Sequence, residues 1–448
     1  MSDFSAEFSR DLRSAGVVGA GGAGFPSYVK AQGRAGYALV NAAECEPLLK
    51  KDQKILEYFP AKVFDGLELL MRAVGAEKGM LCIKKKHEKI IPRLEEIAKS
   101  RKNITVLKMG DYYPAGDEQC LVYEATGRIV PPGGIPLDVG CVVSNVETLY
   151  NAAFRGVPVT EKFITIAGAV KKPATFKVPV GITWAEAVEL AGGFTVKEPA
   201  YIDGGPMMGK VATDFSAPVT KASAGIIVLP KNHPLIVKKA LGRPVFSRIN
   251  RSACDQCSFC TEFCPRYLLG HNVQPHRVMR SQLFSAGPEH KLHSQYALLC
   301  CECSLCSLYS CPEGLNPREA CVAAKSDLRE LKMGFKNSGL NKGGAPKAHP
   351  VREFRKVPVS KLVQRLGLTD YSKDAPWTEV NYKPSKVRIL MSQHIGSPCA
   401  PAVKEGQRVQ KGAVVGDVPA DKLGCPVHAS IAGTVTKVNE KYVEIQAD

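Results

Sequence analysis

Long hydrophobic segments are absent from this 448-residue sequence. No apolar run approaches the roughly 18 residues that a membrane-spanning helix requires, so we expect no membrane span. The N-terminal residues MSDFSAEFSRDLRSAG carry acidic side chains and lack a continuous apolar stretch, which predicts neither a signal peptide nor a transit peptide. Aromatic residues are scarce at 7%, yet 45% hydrophobic and 23% charged residues are ordinary values for a globular chain of several domains.

Acidic side chains are in deficit, with 43 Asp and Glu against 60 Lys and Arg, which gives a formal net charge of +17. This balance favours anionic ligands such as nucleotides, or acidic protein surfaces. The basic residues are spread along the chain, apart from a short cluster at Lys84, Lys85 and Lys86, and no nucleic-acid-binding motif accompanies them. We therefore expect no nucleic acid as a partner.

Helical and strand patterns alternate over residues 1–158, which predicts an α/β domain with a mostly parallel, Rossmann-like sheet. A helix is expected before Gly16. The later elements of the pattern are a strand at 37–41, a helix at 61–74 and strands at 80–83 and 105–108.

Four further segments differ in composition. Residues 159–240 combine short β-like runs with a glycine-rich stretch, which fits a small α+β ligand-binding module. Residues 245–330 are rich in cysteine. Residues 331–385 are rich in Lys, Gly and Pro and predict a linker or irregular segment. Residues 386–448 hold short β runs punctuated by glycine, which indicates a compact β-sandwich.

Sixteen cysteines are many for a chain without a secretion signal, and nine of them lie between residues 254 and 311, eight of these at ligand-like spacing. This distribution predicts metal in a reducing compartment, the cytoplasm, rather than a disulfide framework. In runs of the type C-x2-C-x2-C-x3-C followed by proline, three thiolates bind one 4Fe-4S cluster and the fourth reaches the other. The predicted ligands are Cys254, Cys257, Cys260 and Cys311 for cluster one, and Cys300, Cys303, Cys306 and Cys264 for cluster two.

The second run departs from the first, because four residues rather than three precede Cys311. We expect the chain there to bulge or to begin its helix later. Cys301 lacks a counterpart in register, since position 304 is serine, and we interpret it as a non-ligand. Two four-cysteine zinc sites are the alternative, but those usually consist of separated C-x2-C pairs. The remaining cysteines are expected to pack in the core, namely Cys45, Cys82, Cys120, Cys141, Cys321, Cys399 and Cys425.

The segment GAGGAG at residues 19–24 fits the dinucleotide pattern G-x-G-x-x-G, and Glu44 follows 20 residues after its last glycine. It follows a helix rather than a strand, and Phe25 and Pro26 come directly after it, so the pattern alone identifies no nucleotide. Glycines allow backbone N–H groups to approach a phosphate closely, and Lys30 would add a positive charge. The segment therefore predicts a phosphate-binding loop.

Four ordered motifs carry a resemblance: GVVGAGGAGFPSYVK, NAAECEP, YPAGDEQ and SNVETL. They resemble the flavin-binding subunit of respiratory complex I and its relatives in the Rnf electron-transport complex. The resemblance implies FMN in residues 1–158 and NADH as its electron donor. The flavin and phosphate contacts that it implies are Gly19, Gly21, Gly22, Lys30, Asn41, Tyr113, Gly116, Asp117, Ser144, Asn145 and Thr148.

The same resemblance places Phe25, Glu46 and Glu118 beside the nicotinamide nucleotide, where we expect catalytic contacts. The alternative interpretation of the two acids is an ordinary solvated position. Ala20 stands where complex I has arginine, so a phosphate contact from that side chain is absent. The chemistry points independently to flavin, because NADH delivers an electron pair while each cluster accepts one electron.

Residues 161–210 resemble the soluble-ligand-binding β-grasp module of these relatives, and the C-terminal segment with HIGSPCAP and CPVHASIAGTV resembles their barrel-sandwich module. The predicted fold class is therefore multidomain α/β. Its parts are a Rossmann-like flavin domain, a β-grasp module, a two-cluster ferredoxin-like α domain and a C-terminal barrel-sandwich β module. In the Rnf subunit the barrel-sandwich precedes the flavin domain, whereas here it comes last, which resembles the cobalamin reductases of propanediol-utilisation microcompartments.

This second resemblance implies reduction of cob(II)alamin to cob(I)alamin inside a bacterial microcompartment. An ATP:cob(I)alamin adenosyltransferase would be a partner, and a shell protein a further contact. The alternatives are an Rnf-like subunit that passes electrons to ferredoxin or a membrane complex, and a non-catalytic electron-relay scaffold. No D-x-H-x-x-G corrinoid motif occurs, so the sequence supplies no axial histidine. Lys422 follows Asp421 as a lipoyl lysine would, but an unmodified exposed lysine is the favoured interpretation.

Overall fold

The structure, a computed structural model, describes residues 3–284, 287–341 and 343–448. Its N-terminal part contains a parallel sheet with helices on both faces, and the predicted helix before Gly16 and the predicted strands are confirmed. The elements are α1 (Asp3–Ser14), α2 (Ser27–Ala31), β1 (Tyr37–Ala42), α3 (Lys51–Tyr58), α4 (Pro60–Val74), β2 (Lys78–Lys84), α5 (Ile91–Lys99), β3 (Ile104–Met109), β4 (Tyr112–Tyr113), α6 (Glu118–Thr126), β5 (Cys141–Asn145) and α7 (Val146–Ala152).

Strand β1 is buried along most of its length, which explains its apolar residues, whereas the edge strand β3 exposes Thr105 and Lys108. Ala38 and Val40 of β1 pack in the core that includes α4, while Leu39 packs in the core that includes α6. The strand order is β3-β2-β1-β5, so the chain reverses its direction of travel across the sheet beside β1. Ligands bind at such switch points, outside the carboxyl ends of the strands, which places the expected site between β1 and β5.

Helix ends follow the local sequence. Pro60 begins α4, and Gly75 ends it in the left-handed region (φ 72°) with its N–H bonded to the Met71 carbonyl. Thr183 and Glu186 form a capping box on the helix of the next module.

The next module is a five-stranded mixed sheet with one packed helix, as a β-grasp module requires. Its strand order is β7-β6-β10-β8-β9, and the β6–β10 pair is parallel. The elements are β6 (Glu161–Gly168), β7 (Ala174–Pro179), α8 (Trp184–Leu190), β8 (Pro199–Asp203), β9 (Lys210–Ala212) and β10 (Gly225–Pro230), followed by α9 (Pro234–Lys239).

The cysteine-rich module is helical. Its helices pack around a small apolar core that includes Val278, Leu315 and Cys321. The elements are α10 (Arg243–Ala253), α11 (Phe259–Glu262), α12 (Pro265–Leu268), α13 (Pro275–Ser281), α14 (Pro288–Ser294), a 3-10 turn (Gln295–Ala297), a π-helix (Cys306–Ser310) and α15 (Pro317–Glu330).

Residues 352–377 lie within the segment where the composition predicts a linker, and they contact the other modules. Strand β11 (Val357–Pro358) pairs with β4, and α16 (Val359–Arg365) follows it directly. Trp377 lies against Phe163, with ring centroids 5.6 Å apart. Apolar side chains such as Leu362, fully buried in α16, hold the segment in place although Lys, Gly and Pro dominate the residues before it.

The C-terminal residues form two small antiparallel sheets of order β12-β18-β17-β14 and β13-β15-β16. They share one continuous core with the β-grasp module, in which Val178 and Ile389 both lie. No helix in the described residues is long and apolar enough to cross a membrane. The strands are β12 (Lys386–Leu390), β13 (Ala400–Pro401), β14 (Arg408–Val409), β15 (Val414–Asp417), β16 (Val427–His428), β17 (Gly433–Val438) and β18 (Tyr442–Ala447).

Candidate functional site

A cleft with about 800 Å³ of empty space, open solvent included, lies at the carboxyl ends of β1 and β5. We call it the flavin cavity. Asn41 and Asn145 pair across these two strands and both line it, as the switch-point argument requires. The predicted flavin and nicotinamide residues that line it are Gly21, Asn41, Glu46, Tyr113, Gly116, Asp117 and Asn145.

The glycine-rich loop closes one side of this cavity. The Gly19 N–H bonds to the Phe25 carbonyl (2.8 Å), which folds the loop back on itself. Gly22 (φ 109°) and Gly24 (φ 67°) have backbone angles that residues with side chains rarely adopt, and a Cβ on Gly22 would meet no atom within 4 Å. The backbone at Gly22 is therefore not covered by neighbouring residues.

Hydrogen bonds within the protein hold the side chains around this loop in place. The Thr148 hydroxyl accepts from the Ala20 N–H (2.9 Å), and Ser144 is buried on β5. Lys30 donates to the Val143 carbonyl (2.8 Å) and forms an ion pair with Glu118 (3.2 Å). The cavity lining includes none of the predicted residues Gly19, Gly22, Phe25, Lys30, Glu118, Ser144 and Thr148.

Asn41 and Gly116 form the opposite wall. The Asn41 side-chain amide donates to the Gly116 carbonyl (2.8 Å). A Cβ at Gly116 would lie 2.9 Å from the Ala43 carbonyl oxygen, so only glycine fits at this approach of two backbone segments. The open backbone of the glycine-rich loop and the two amide side chains that line the cavity, Asn41 and Asn145, fit FMN.

Glu46 lies where the flavin domain meets the β-grasp module. Its two carboxylate oxygens accept from the backbone N–H groups of Met207 and Met208, both at 2.8 Å. Burial raises the pKa of this carboxyl, while the two N–H groups and the nearby Lys239 oppose the rise. Met208 also lines the cavity, so the β-grasp module contributes directly to the site.

A buried charge network, of which Lys51 and Asp52 line the cavity, was missed by sequence reasoning. The Lys51 ammonium contacts the carboxylates of Asp52 (2.7 Å) and Glu147 (2.9 Å), and Lys162 also binds Glu147. Asn145 donates to Asp52 (2.7 Å). Burial alone would lower the pKa of Lys51, but Asp52 and Glu147 raise it above its ordinary value, so this ammonium stays charged. The position of Lys51 and Asp52, four and five residues after the ECEP motif, was the available signal.

Glu44 also lines the cavity, and its oxygen accepts from the Asp52 N–H (3.4 Å). Burial and the neighbouring Asp52 raise the pKa of this carboxyl to about 7. Its charge therefore changes near neutral pH, next to the position where a flavin would bind.

The two triple-cysteine loops share one backbone conformation. In the first, Gln256 (φ 59°) and Ser258 (φ 67°) flank Cys257; in the second, Glu302 (φ 59°) and Ser304 (φ 64°) flank Cys303. Non-glycine residues rarely adopt the left-handed region, and each costs about 1 kcal/mol or more. Both loops have the same pair of left-handed residues at equivalent places, and in the second loop the Glu302 N–H donates to the Cys300 sulfur (3.4 Å).

Cysteines from both runs meet around a small cavity of about 300 Å³. It is lined by Cys254, Cys257, Cys260 and, from the second run, Cys311. Cys264 in turn lies close enough to Cys300 and Cys306 for their charges to interact. The arrangement fits two cubanes with exchanged fourth ligands. No group of three or more His, Cys, Asp or Glu side chains in the described residues is arranged to hold a single metal ion.

The extra residue before Cys311 is absorbed by the π-helix Cys306–Ser310, in which the Ser310 hydroxyl bonds to the Leu305 carbonyl (3.1 Å). A π-turn accommodates one additional residue in a helical segment. Cys264 and Cys311 then have nearly the same extended backbone, with φ, ψ of −67°, 119° and −76°, 117°. The structure therefore supplies the bulge that the spacing predicts.

The loop that carries Cys300, Cys303 and Cys306, the predicted ligands of cluster two, lies next to the flavin cavity. Cys301 and Cys303 form part of the cavity wall, and the Tyr113 hydroxyl donates to the Cys303 carbonyl (2.7 Å). Asp117 caps α6 through one oxygen and binds Arg266, in the segment after Cys264, through the other (2.7 Å). Two direct contacts thus hold the cluster module against the flavin domain, and Cys301 faces the cavity without being a predicted ligand.

Comparisons with known proteins match the division of the chain into a flavin domain, a β-grasp module, a cluster module and a C-terminal β module. Family models match as follows: the Nuo51 FMN-binding domain over residues 12–153, the SLBB domain over 163–211, the 4Fe-4S dicluster domain over 253–316 and the RnfC barrel sandwich hybrid domain over 368–448. The predicted fold class is confirmed. The last match begins within residues 331–385, consistent with the ordered packing of that segment.

Fold and site together define a flavin- and iron–sulfur-cluster-containing oxidoreductase. The curated relatives are more specific: "Cobalamin reductase PduS" of Citrobacter freundii is 40% identical over 437 residues, covering 97% of this chain and 95% of that protein. The Salmonella typhimurium protein of the same name is 40% identical over 445 residues, covering 98% and 96%. The chain belongs to the cobalamin reductase PduS family.

More distant proteins share parts of the chain. One component of the proton-translocating ferredoxin:NAD(+) oxidoreductase complex of Clostridium ljungdahlii is 35% identical over 265 residues, covering 57% of this chain and 55% of that protein. A solved NAD+-reducing NiFe-hydrogenase in the H2-reduced state is 21% identical, with a TM-score of 0.46, covering 74% of this chain and 61% of that one.

Proposed function

We propose that the protein is an NADH-dependent reductase that converts cob(II)alamin to cob(I)alamin. The balanced reaction is NADH + 2 cob(II)alamin → NAD+ + H+ + 2 cob(I)alamin. The observation that carries the proposal is the shared wall between the flavin cavity and the loop of cluster two, formed by Cys301 and Cys303. The near full-length similarity to proteins named cobalamin reductase supports the acceptor.

FMN, when bound, accepts the electron pair of NADH and releases single electrons, which 4Fe-4S clusters carry one at a time. The chain's own residues hold and orient these groups. The loop around Gly21 and Gly22 would receive the FMN phosphate, and Asn41 and Asn145 would contact the flavin. Phe25, Glu46 and Glu118 would position the nicotinamide, with Glu46 held by the amides of Met207 and Met208.

The order of electron transfer follows from the geometry. The loop Cys300–Cys306, which with Cys264 would hold cluster two, is adjacent to the flavin cavity and would therefore hold the first acceptor of single electrons. Cys254, Cys257, Cys260 and Cys311, which would hold cluster one, do not line that cavity.

The product determines the biological setting that we propose. Cob(I)alamin is a strong nucleophile that oxidises readily, so it must be consumed close to where it forms. An ATP:cob(I)alamin adenosyltransferase would use it directly, and enclosure in a microcompartment, with a shell protein as a contact, would keep the two enzymes together.

The test is an anaerobic assay of the purified holoprotein with NADH and cob(II)alamin, in which an alkylating agent traps cob(I)alamin. A parallel assay offers ferredoxin as the acceptor. We expect alkylcobalamin to form and ferredoxin to react more slowly. Rapid reduction of dyes and ferredoxin without alkylcobalamin would contradict the proposal and favour the Rnf-like alternative.

A further inference from the structure

A second large pocket opens on the surface where three parts of the chain meet. It has about 1000 Å³ of empty space, open solvent included, and shares no lining residue with the flavin cavity. Its walls come from residues 233–238 after the β-grasp sheet, from Ser307 and Leu308 of the π-helix, and from residues 364–367 at the end of α16. The cavity itself measures about 530 Å³, within the range of about 300–1,000 Å³ that is usual for small-molecule sites, so a larger ligand would extend beyond it into solvent.

The pocket is adjacent to ligands of both predicted clusters. Ser307 and Leu308 directly follow Cys306, a predicted ligand of cluster two, in the π-helix that leads to Cys311, a predicted ligand of cluster one. Lys238 donates to the Ser307 carbonyl (2.7 Å) and to the Gly314 carbonyl (2.9 Å). One side chain of the pocket wall therefore binds the backbone on both sides of Cys311. An electron acceptor in the pocket would lie next to the chain that joins the two clusters.

The lining combines apolar surface with cations and an amide. Leu235, Leu308 and Leu366 supply apolar surface, while Gln364 and Arg365 are exposed at its rim. A corrinoid has the complementary chemistry: a broad, flat ring, a fringe of amide side chains and a single phosphate diester. Resting on the function proposed above, we propose that this pocket binds cob(II)alamin for reduction. One electron passes from the clusters to the cobalt, which changes from Co(II) to Co(I), and the electron comes from NADH.

His233 lines the pocket but both of its ring nitrogens are engaged. Its Nδ1 accepts from the Leu235 N–H (3.2 Å), and its Nε2 lies 3.2 Å from the Gly367 carbonyl oxygen. Ligation of cobalt by this imidazole would break one of these contacts. The corrinoid is therefore held by ring and amide contacts rather than by a protein histidine, in agreement with the missing D-x-H-x-x-G motif.

The test uses the holoprotein and two variants on exposed positions of the pocket. Gln364→Trp fills the mouth of the pocket, and Arg365→Glu reverses a charge at its rim. Lys361→Trp and Lys361→Glu are matched controls, because Lys361 is an exposed residue of the same helix that does not line the pocket. Anaerobic equilibrium dialysis measures the Kd for cob(II)alamin, and the ratio of cobalamin-linked to dye-linked NADH oxidation measures its use.

We expect Gln364→Trp to raise the Kd and to lower that ratio at least tenfold, and Arg365→Glu to do so severalfold, with both controls within twofold of wild type. Unchanged binding in both pocket variants would overturn the proposal, as would a wild-type protein that binds no cob(II)alamin. A wild-type protein that binds cob(II)alamin without reducing it would refute the proposed function alone, and dialysis of the variants would still decide the pocket.

Discussion

Tyr113 is the residue that links the two cofactor sites most directly, because it lines the flavin cavity and its buried hydroxyl binds the Cys303 carbonyl. Tyr113→Phe leaves that carbonyl without its partner, at a cost of about 1 kcal/mol, and loosens the loop of cluster two. We expect severalfold slower bleaching of the clusters after flavin reduction by NADH in stopped-flow absorption. Tyr112→Phe is the control, since its hydroxyl donates to Glu124 instead. Equal slowing in both variants would contradict a specific role of the Tyr113–Cys303 hydrogen bond in electron transfer.

Glu44 makes stability depend on pH near neutrality. Burial and Asp52 raise the pKa of its carboxyl from 4.5 to about 7, so the folded state binds the proton more tightly than the unfolded state. The stabilisation is present at low pH and is lost as pH rises through 7, which is the reverse of a salt-bridged acid. We expect Glu44→Gln to gain about 1–3 kcal/mol above pH 7 relative to wild type.

The measurement is the apparent Tm of both proteins between pH 5 and pH 8. The difference between the two should grow with pH. A constant difference would show that Glu44 stays ionised throughout this range.

At the scale of the elements, the exchanged fourth ligands can be tested by combining substitutions. Cys264→Ser and Cys300→Ser should remove the same cluster, so the double variant should keep about four of about eight irons, as each single variant does. Cys264→Ser combined with Cys254→Ser should lose both clusters. Cys301→Ser is the control and should keep all of the iron. Complete iron loss in the Cys264→Ser/Cys300→Ser protein would contradict the exchange.

Elements were predictable where one local pattern determines them. The apolar strands of the parallel sheet and the two cysteine runs carry strong signals in the sequence, and even the bulge before Cys311 followed from counting residues. The π-helix that forms the bulge did not follow, because several backbone conformations can absorb one residue. The packing within residues 331–385 could not be predicted from the sequence, because Leu362 and Trp377 are buried by contacts with distant modules and no local pattern indicates those contacts.

The residues of the flavin cavity, too, could be predicted only where a local motif contains them. Motif order identified Asn41, Gly116 and Asn145, which do line the cavity. The order of the motifs could not show that the N–H groups of Met207 and Met208 bind Glu46, because these residues lie 161 and 162 positions after Glu46 in the sequence.

At the scale of the whole molecule, the ion pair between Asp117 and Arg266 joins the flavin domain to the cluster module. Both side chains are largely buried, at 11% and 12% exposure, and their atoms lie 2.7 Å apart. Removing one partner of a buried pair costs about 3–5 kcal/mol. We expect Arg266→Met to lower the apparent Tm strongly and to slow electron transfer from flavin to clusters. Arg243→Met removes an exposed ion pair with Asp327 and should change neither.

We propose that one chain divides the electron pair of NADH between two molecules of cob(II)alamin. The stoichiometry of an anaerobic reaction tests this proposal, with limiting NADH mixed with catalytic holoprotein, excess cob(II)alamin and an alkylating trap. We expect two alkylcobalamin molecules for each NADH consumed, and none from protein stripped of FMN. NADH consumption by the intact holoprotein without alkylcobalamin would contradict it.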